Sequence, residues 1–359
     1  MTVTTTTEIA GPVNVVFQQT LLRNAKARLP HFLGSTPGTI SSHSGTFTVK
    51  WRRIENMTPT ITPLAELTGT IAFPTRVAVQ PSVNDLEATV QKYGNFFYLN
   101  EEVDLINFSG QTDKLAELLG INAGQSLNRL QRNELEDNST LKFAGDTITT
   151  ASNVVAALAT DASDVERIVN LLDNSSAMKF TPMTTGSTNI NTSPQRDAFW
   201  GICHVDVEPS IRRSTGFVPV EQYASQTAVE KGEFGSLAGV RFVSTPEASI
   251  DANAGSSTAT GFRGDTAIDV YPTIIMGMDH HGSVGLDSTF IKEIYTAGDD
   301  IPGVELISKA RGSAGSADPL NEVSSMGWKA WHAPKVLTDS TTPTTGEWGF
   351  SLGSAAVVI

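Results

Sequence analysis

The chain has 359 residues, 39% of them hydrophobic, which is enough for one large or two medium domains with a real core. Its net charge of −13 argues against a general nucleic-acid binder, and no apolar run approaches the roughly 18 residues that a membrane helix needs. The N-terminus lacks the basic and apolar regions of a signal peptide, and the single cysteine cannot form an internal disulfide, so a reducing, cytosolic origin is expected.

Charge is distributed unevenly along the chain. Residues 1–60 hold six basic and two acidic side chains, a net charge of +4, so the remainder carries −17. This split favours two surfaces of one protein, of opposite charge, that are made to meet, and a chance fluctuation of surface charge is the alternative.

A basic arm comes first. Residues 1–13 are rich in Thr and are predicted to be disordered. From Asn14 to Leu29 apolar residues recur at helical spacing, and Pro30 ends the pattern, which predicts a short amphipathic helix. The basic residues of this helix lie mostly off its apolar face and are Arg23, Lys26 and Arg28.

A long hairpin is predicted next. In "TFTVKWRRI" (46–54) apolar residues alternate with polar and cationic ones, as in a strand with one apolar and one cationic face. Alternation returns in residues 77–90 after a Pro-rich stretch. A two-stranded ribbon is marginal alone in water, so we expect it to lie on another surface, such as a second subunit. The candidate inter-subunit contacts are Phe47, Val49, Lys50, Trp51, Arg52 and Arg53.

Two helices are predicted after a strand that begins at Val90. The first spans Asp113–Asp137, with Leu115, Leu118, Leu119, Ala123, Leu127 and Leu130 on its apolar face. The residues predicted to lie largely on its other face are Asn128, Arg129, Gln131 and Arg132. Ser163 and Glu166 form a capping-box pattern that predicts the second helix. Its predicted buried residues are Val165, Ile168, Val169 and Leu172.

Short apolar strands and loops are predicted beyond about residue 174. The strands cover Phe199–Val205, Gly239–Thr245 and Tyr271–Met278, and a mobile loop is expected over Ser249–Asp265. A further strand in residues 318–337 holds Trp328 and Trp331. The apolar end of the chain, "SAAVVI", is expected to be a strand that is docked within the fold or on a neighbour.

Candidate catalytic residues are few. Cys203 and His204 are adjacent in a strand, so their side chains point to opposite faces, and Cys203 is predicted to be a buried apolar residue. Asp279, His280 and His281 match the DHH triplet of one family of metal phosphoesterases, but no supporting set of Asp and His residues accompanies them. The glycines Gly232, Gly235 and Gly239 fit no phosphate-binding loop. Glu101–Glu102 and Asp299–Asp300 are expected to be solvated or capping pairs.

Three stretches in order carry a resemblance: "VQKYGNFFYLNEEVD", "KGEFGSLAGVRFVST" and "DPLNEVSSMGWKAWHAPKVL". Together with the basic arm, the projecting hairpin, the long helix and the late strand, they resemble tailed-phage major capsid proteins of the Hong Kong 97-type fold. They resemble the major capsid family of coliphage N-four in particular, and the resemblance covers roughly residues 45–340.

The resemblance implies an α+β fold of five parts. They are an N-terminal arm (1–45), an extended E-loop hairpin (46–92), a peripheral domain (93–175 and 318–345) with a long spine helix, an axial domain (176–317) and a C-terminal strand (346–359). Trp328 and Trp331 are three apart and so face opposite sides of a strand. One is expected to pack on the spine helix and the other to cover a second surface, with Lys329 and Lys335 within reach of acidic neighbours.

The implied function is self-assembly into the hexamers and pentamers of an icosahedral phage head that encloses double-stranded DNA without sequence-specific binding. No enzymatic activity, cofactor or metal is implied. Implied partners are copies of the chain, a separate scaffold, a portal and a decoration protein, in a virion assembled in the host cytoplasm. Arg23, Lys26 and Arg28 would contact DNA, scaffold or a neighbouring subunit.

Residues 54–75 contain no lysine, so a covalent cross-link through the hairpin is not expected. An encapsulin-like compartment and a metal-dependent hydrolase are the alternatives.

Overall fold

The computed structural model describes ten stretches of the chain and three single positions. The stretches are 29–41, 47–54, 83–102, 111–181, 196–224, 229–257, 266–287, 304–313, 318–337 and 348–356, and the positions are 61, 81 and 194. The predicted arm helix with Arg23, Lys26 and Arg28, the tip of the predicted hairpin and the pair Asp299–Asp300 lie outside the described residues.

The described elements are numbered in chain order. The strands are β1 (Thr36–Ser41), β2 (Thr48–Ile54), β3 (Val83–Thr89), β4 (Gln91–Asn100), β5 (Thr140–Phe143), β6 (Phe199–His204), β7 (Val218–Pro219), β8 (Glu233–Leu237), β9 (Val240–Thr245), β10 (Tyr271–Met276), β11 (His281–Asp287), β12 (Val304–Lys309), β13 (Val323–Val336) and β14 (Gly349–Ser354). The helices are α1 (Gln111–Asn138), α2 (Ala162–Asn174) and α3 (Glu208–Arg213), and a 3₁₀ turn covers Pro30–Phe32. Within the described residues, none of the helices is long and apolar enough to cross a membrane.

The first sheet is organised around the long strand β13. Strands β4, β12 and β11 pair with β13 in antiparallel fashion, and β1 joins β11 in parallel. Helix α1 packs on one face of this sheet, where Leu119 and Leu127 meet Met326 and Trp328 in a continuous apolar layer. The long helix expected from the leucine spacing is therefore present, and the late strand is its main support.

Helix α1 buries more of its surface than the sequence indicates. Asn128 and Gln131, expected on the polar face, are wholly buried, whereas Leu118, expected on the apolar face, is exposed. The reason is that a second element covers the helix: the turn Pro30–Phe32 packs on it, and His31 donates its backbone N–H to Asn128 Oδ1 at 3.1 Å. The polar face predicted for these two residues is therefore wrong.

The second sheet has seven strands in the order β5-β14-β10-β6-β9-β8-β7. Helix α2 packs against it through Val165, Ile168 and Leu172, which are buried as predicted, and Val169 is partly buried. The helix begins earlier than the capping box suggests, because Asp161 is the N-cap and accepts from the backbone N–H of Asp164 at 3.0 Å. Ser163 instead donates its hydroxyl to Asp161 at 2.8 Å.

The strands of the second sheet largely follow the predicted ones. Strands β6, β9 and β10 coincide with the three apolar stretches within two residues at each end. The last strand, however, is Gly349–Ser354 and precedes most of "SAAVVI". It lies between β5 and β10 and is buried throughout, so this part of the chain is docked within its own fold.

Four strands belong to a different sheet from the one that the predicted domain ranges suggest. β11 and β12 lie within residues 176–317, yet both join the sheet of β13. β5 and β14 lie outside that range, yet both belong to the second sheet. The range 176–317 is therefore not a sheet of its own, because long-range pairing interleaves the two sheets along the chain. The division into named domains stays a prediction.

Candidate assembly surface

Strands β2 and β3 form a separate two-stranded ribbon, as the alternation predicts. Their antiparallel register runs from Thr48 opposite Thr89 to Ile54 opposite Val83. Within it, the Arg52 guanidinium contacts the Asp85 carboxylate at 3.0 Å and 3.3 Å, and Lys50 is ion-paired with Glu87. Arg52 holds the pKa of Asp85 below its usual range. Lys50 and Arg52 of β2 are thus each balanced within the same ribbon, which the one-strand pattern did not reveal.

The apolar side of the ribbon base packs on the chain itself. The rings of Phe47 and Trp331 are stacked with centroids 5.7 Å apart. Val49 and Trp51 belong to the same cluster, which also holds Ala88, Val90 and Ala333. The predicted contact residues Phe47, Val49 and Trp51 therefore fasten the ribbon to β13, although Phe47 keeps 54% of its surface exposed. Arg53 stands opposite Asn84 in the ladder.

The two tryptophans of β13 face opposite sides, as their spacing predicts. Trp328 is buried against α1 and donates its indole N–H to Asn122 Oδ1 at 2.9 Å. Trp331 lies on the other face, under the ribbon base. The neighbouring lysines meet carboxylates of their own chain, since Lys329 is 2.7 Å from Glu305 and Lys335 is 3.6 Å from Glu134.

The sheet face opposite α1 carries an uncovered aromatic pair. Phe96 and Tyr98 of β4 are 62% and 69% exposed, and their rings meet edge to face at 5.3 Å. Phe96 stands opposite Gly327 of β13, where a Cβ atom would lie 2.6 Å from the Cβ of Phe96. A side chain at position 327 would therefore collide with Phe96, which explains the glycine there.

We name this surface the aromatic face and define it by the register of three strands. Its members are Gly94, Phe96 and Tyr98 of β4, Ser325, Gly327 and Lys329 of β13, and Glu305, Ile307 and Lys309 of β12. Lys92 lies at its lower end, 5.9 Å above the Trp331 ring, next to the ribbon base. The sequence held a signal for this face, because aromatic residues two apart on a strand share a side, but the strand pattern alone did not show which side is covered.

The candidate catalytic residues are buried or hydrogen-bonded within the fold. Cys203 is wholly buried, and burial raises the pKa of its thiol. Asp279 accepts from the Thr36 hydroxyl at 2.9 Å, and His280 Nε2 lies 3.2 Å from Ser139 Oγ. Within the described part of the chain, no group of three or more His, Cys, Asp or Glu side chains is arranged to hold a metal ion.

Comparison with known proteins identifies one matching family and several solved structures with a similar fold. Residues 83–344 match the family model described as phage capsid protein. The fold is similar to that in the capsid of Ralstonia phage GP4, with a TM-score of 0.62 and 10% identity over 90% of this chain and 87% of the other. It is also similar to that in the capsid asymmetric unit of cyanophage Pam1, with a TM-score of 0.53 and 13% identity over 92% and 93% of the two chains. No curated protein matches the sequence.

Proposed function

The chain belongs to the phage capsid protein family, and from that premise we propose that the ribbon of one copy lies on the aromatic face of the next copy in the head. The protein is a structural major capsid protein of a phage head. What we add is the way its copies meet. The observation that carries this proposal is the exposed aromatic pair Phe96–Tyr98 on the sheet face opposite α1.

The ribbon has the properties of an arm that needs a second surface. A two-stranded ribbon is marginal in water, and the described residues of this one meet the first sheet at its base, where Phe47 stacks on Trp331 and Trp51 packs with Ala333. Its far side presents Lys50 and Arg52, each beside a carboxylate of β3. On such a surface, Lys50 and Arg52 can form new ion pairs with a neighbouring subunit while the carboxylates of β3 stay close to them. The six ribbon residues proposed as inter-subunit contacts stay a prediction in this form.

The aromatic face has the properties of the receiving surface. Its aromatic rings offer apolar area, and burial of an exposed Phe or Tyr on association contributes about 1.5–3 kcal/mol. Lys309 lies on the same face, where Lys329 is paired with Glu305, and acidic residues are plentiful on every other copy, because residues 61–359 carry a net charge of −17. A contact between two different patches on identical subunits is heterologous, and repetition of such a contact about an axis closes a ring.

The finer assignments are part of the same proposal. The order of ribbon, long helix and late strand supports the Hong Kong 97-type fold and the likeness to the coliphage N-four family. We propose hexamers and pentamers in an icosahedral shell that encloses double-stranded DNA, with a separate scaffold, a portal and a decoration protein as partners. The acidic composition suits a container wall, because a cationic lining would bind packed DNA along its length.

The test is whether the aromatic face is needed for assembly. The double variant Phe96→Ser with Tyr98→Ser removes exposed rings without entering the core, so we expect folded subunits that no longer sediment as shells. Leu141→Ser, a variant at an exposed apolar residue of the second sheet, serves as the matched control. Normal shells of the double variant in negative-stain micrographs, or equal loss in the control, would contradict the proposal.

A further inference from the structure

Three histidines meet in the interior where the described chain enters the fold. His31 belongs to the turn Pro30–Phe32, and His280 and His281 precede and begin β11. None of the three has any exposed surface, and the rings of His280 and His281 are 6.0 Å apart. We call His31, His280 and His281 the histidine cluster.

The cluster joins four parts of the molecule. His31 Nδ1 lies 3.1 Å from Asn128 Oδ1, which ties the entering segment to α1. His280 Nε2 lies 3.2 Å from Ser139 Oγ at the end of α1. The His280 ring also lies against Gly349 of β14, where a Cβ atom would stand 2.4 Å from Nε2. The rings are therefore packed so closely that they cannot turn toward water without moving these elements.

The charged groups around the histidine cluster bind partners other than the three cluster rings. On α1, Arg132 donates to the backbone carbonyl of Glu247, and Glu134 accepts from the Val336 backbone N–H beside Lys335. In the turn before β11, Asp279 accepts from Thr36. His332 of β13 packs its ring on Phe32, at 5.4 Å. In the described part of the chain, no ion pair joins a carboxylate to any of the three cluster rings.

We propose that the histidine cluster is an acid-operated latch, which holds the segment Leu29–Ser41 against α1 and β11 at neutral pH and releases it when the imidazoles take up protons. Three positive charges in one buried site, without a carboxylate partner, repel one another and lose their hydration. Opening of the latch lets the rings reach water. The segment lies within the range predicted as the N-terminal arm (1–45), so acid would free this described part of the range from α1 in every subunit.

The direction of the pH dependence follows from the burial. Burial lowers the pKa of His31 and of His280 to about 4. Burial, together with His280 and His31, lowers the pKa of His281 to about 3. The released rings have an ordinary pKa near 6.5, so the open state binds more protons than the closed state below that pH. The latch is therefore fully stable above about pH 6.5 and weakens as the pH falls toward 4.

Hydrogen exchange of assembled shells over a pH series tests the latch. Each proton gained on opening lowers the protection factor of the segment about tenfold per pH unit. We therefore expect peptides from residues 29–41 and 278–287 to lose protection between about pH 6.5 and 4, while peptides from α2 stay protected. Unchanged protection of residues 29–41 down to pH 4, or simultaneous loss in all peptides, would overturn the proposal.

Variants and a second measurement separate the latch from general acid damage. His31→Gln can still offer a side-chain N–H to Asn128 but cannot take up a proton, so its opening should depend less steeply on pH. His204→Gln changes a buried histidine of the second sheet that is paired with Asp206 and should leave the slope for residues 29–41 unchanged. If His31→Gln does not fold, exchange of the imidazole C2 hydrogens in the wild-type chain gives each pKa directly. Values near 6.5 for the cluster would refute the latch.

Discussion

The indole ring of Trp331 and the phenyl ring of Phe47 lie nearly parallel, with an angle of 10° between their planes. This stack is where the ribbon leaves the body of the subunit. Its two members come from opposite ends of the sequence, so the ribbon is oriented by a strand that follows it by more than two hundred residues.

The first prediction concerns the base of the ribbon. Phe47→Ala with Trp51→Ala removes the stack of Phe47 on Trp331, worth about 0.5–1.5 kcal/mol beyond its buried area, together with the packing of Trp51 on Ala88 and Ala333. Because these rings lie outside the two main cores, we expect the subunit to remain folded while shell assembly weakens. Sedimentation and circular dichroism of the double variant measure the two effects separately. Shells of normal yield and size would argue against a role of the ribbon base in assembly.

The second prediction concerns the other tryptophan of β13. Trp328→Phe keeps most of the ring but deletes the hydrogen bond from its N–H to Asn122, so we expect a loss of about 1 kcal/mol in the free energy of unfolding. Trp331→Phe is the matched control, because a phenyl ring there can still stack on Phe47. Chemical denaturation of the two variants should rank Trp328→Phe as the less stable, and the reverse order would show that the Asn122 bond contributes little.

The third prediction concerns the hydrogen bonds that join the second sheet to helix α1. Glu247, in the loop after β9, accepts from Gln125 at 2.9 Å and from Arg129 at 3.0 Å, so it fastens the second sheet to α1. Glu247→Ala should therefore increase hydrogen exchange of the loop after β9, with a cost of about 1 kcal/mol because Arg129 is largely exposed. Glu305→Ala, which breaks the pair with Lys329 on the aromatic face, should leave that loop unchanged.

The fourth prediction concerns pH. Burial raises the pKa of Glu136 above its usual value, which means that the folded chain holds this proton more tightly than the unfolded chain. Ionised Glu136 therefore lowers stability as the pH rises above about 4.5. Glu136→Gln should raise the melting temperature at pH 7 more than at pH 4, while Glu117→Gln, at an exposed position of the same helix, should change neither. An equal effect of Glu136→Gln at both pH values would show that its ionisation is not the cause.

Local periodicity was enough to predict the elements whose partners lie close in sequence or whose pattern is strong. The alternation around Val49 and Trp51 predicted the ribbon, and the leucines of α1 predicted the long helix. The spacing of Trp328 and Trp331 even predicted that they serve two surfaces. In each case one side of the helix or strand packs on a single surface, and a hydrophobic pattern predicts this kind of burial.

Elements with more than one covered face were beyond such patterns. Asn128 was expected in water because helical spacing places it largely opposite the apolar face, but His31, 97 residues earlier, covers it. The predicted C-terminal range 346–359 contains β14, but the apolar run "SAAVVI" indicated a later strand, because the glycines and serines of β14 hide its burial. Gly353, for example, lies against the Phe143 ring, which leaves no space for a side chain. Only the three-dimensional neighbours of these residues explain where they lie.

The place of β14 between β5 and β10 also sets an order of events during synthesis. β5 pairs with β14 in this sheet, so the sheet stays in two separate pieces until residues 349–354 have left the ribosome. The first sheet and its aromatic face are encoded earlier, since β13 ends at Val336, so they can form before the second sheet is joined.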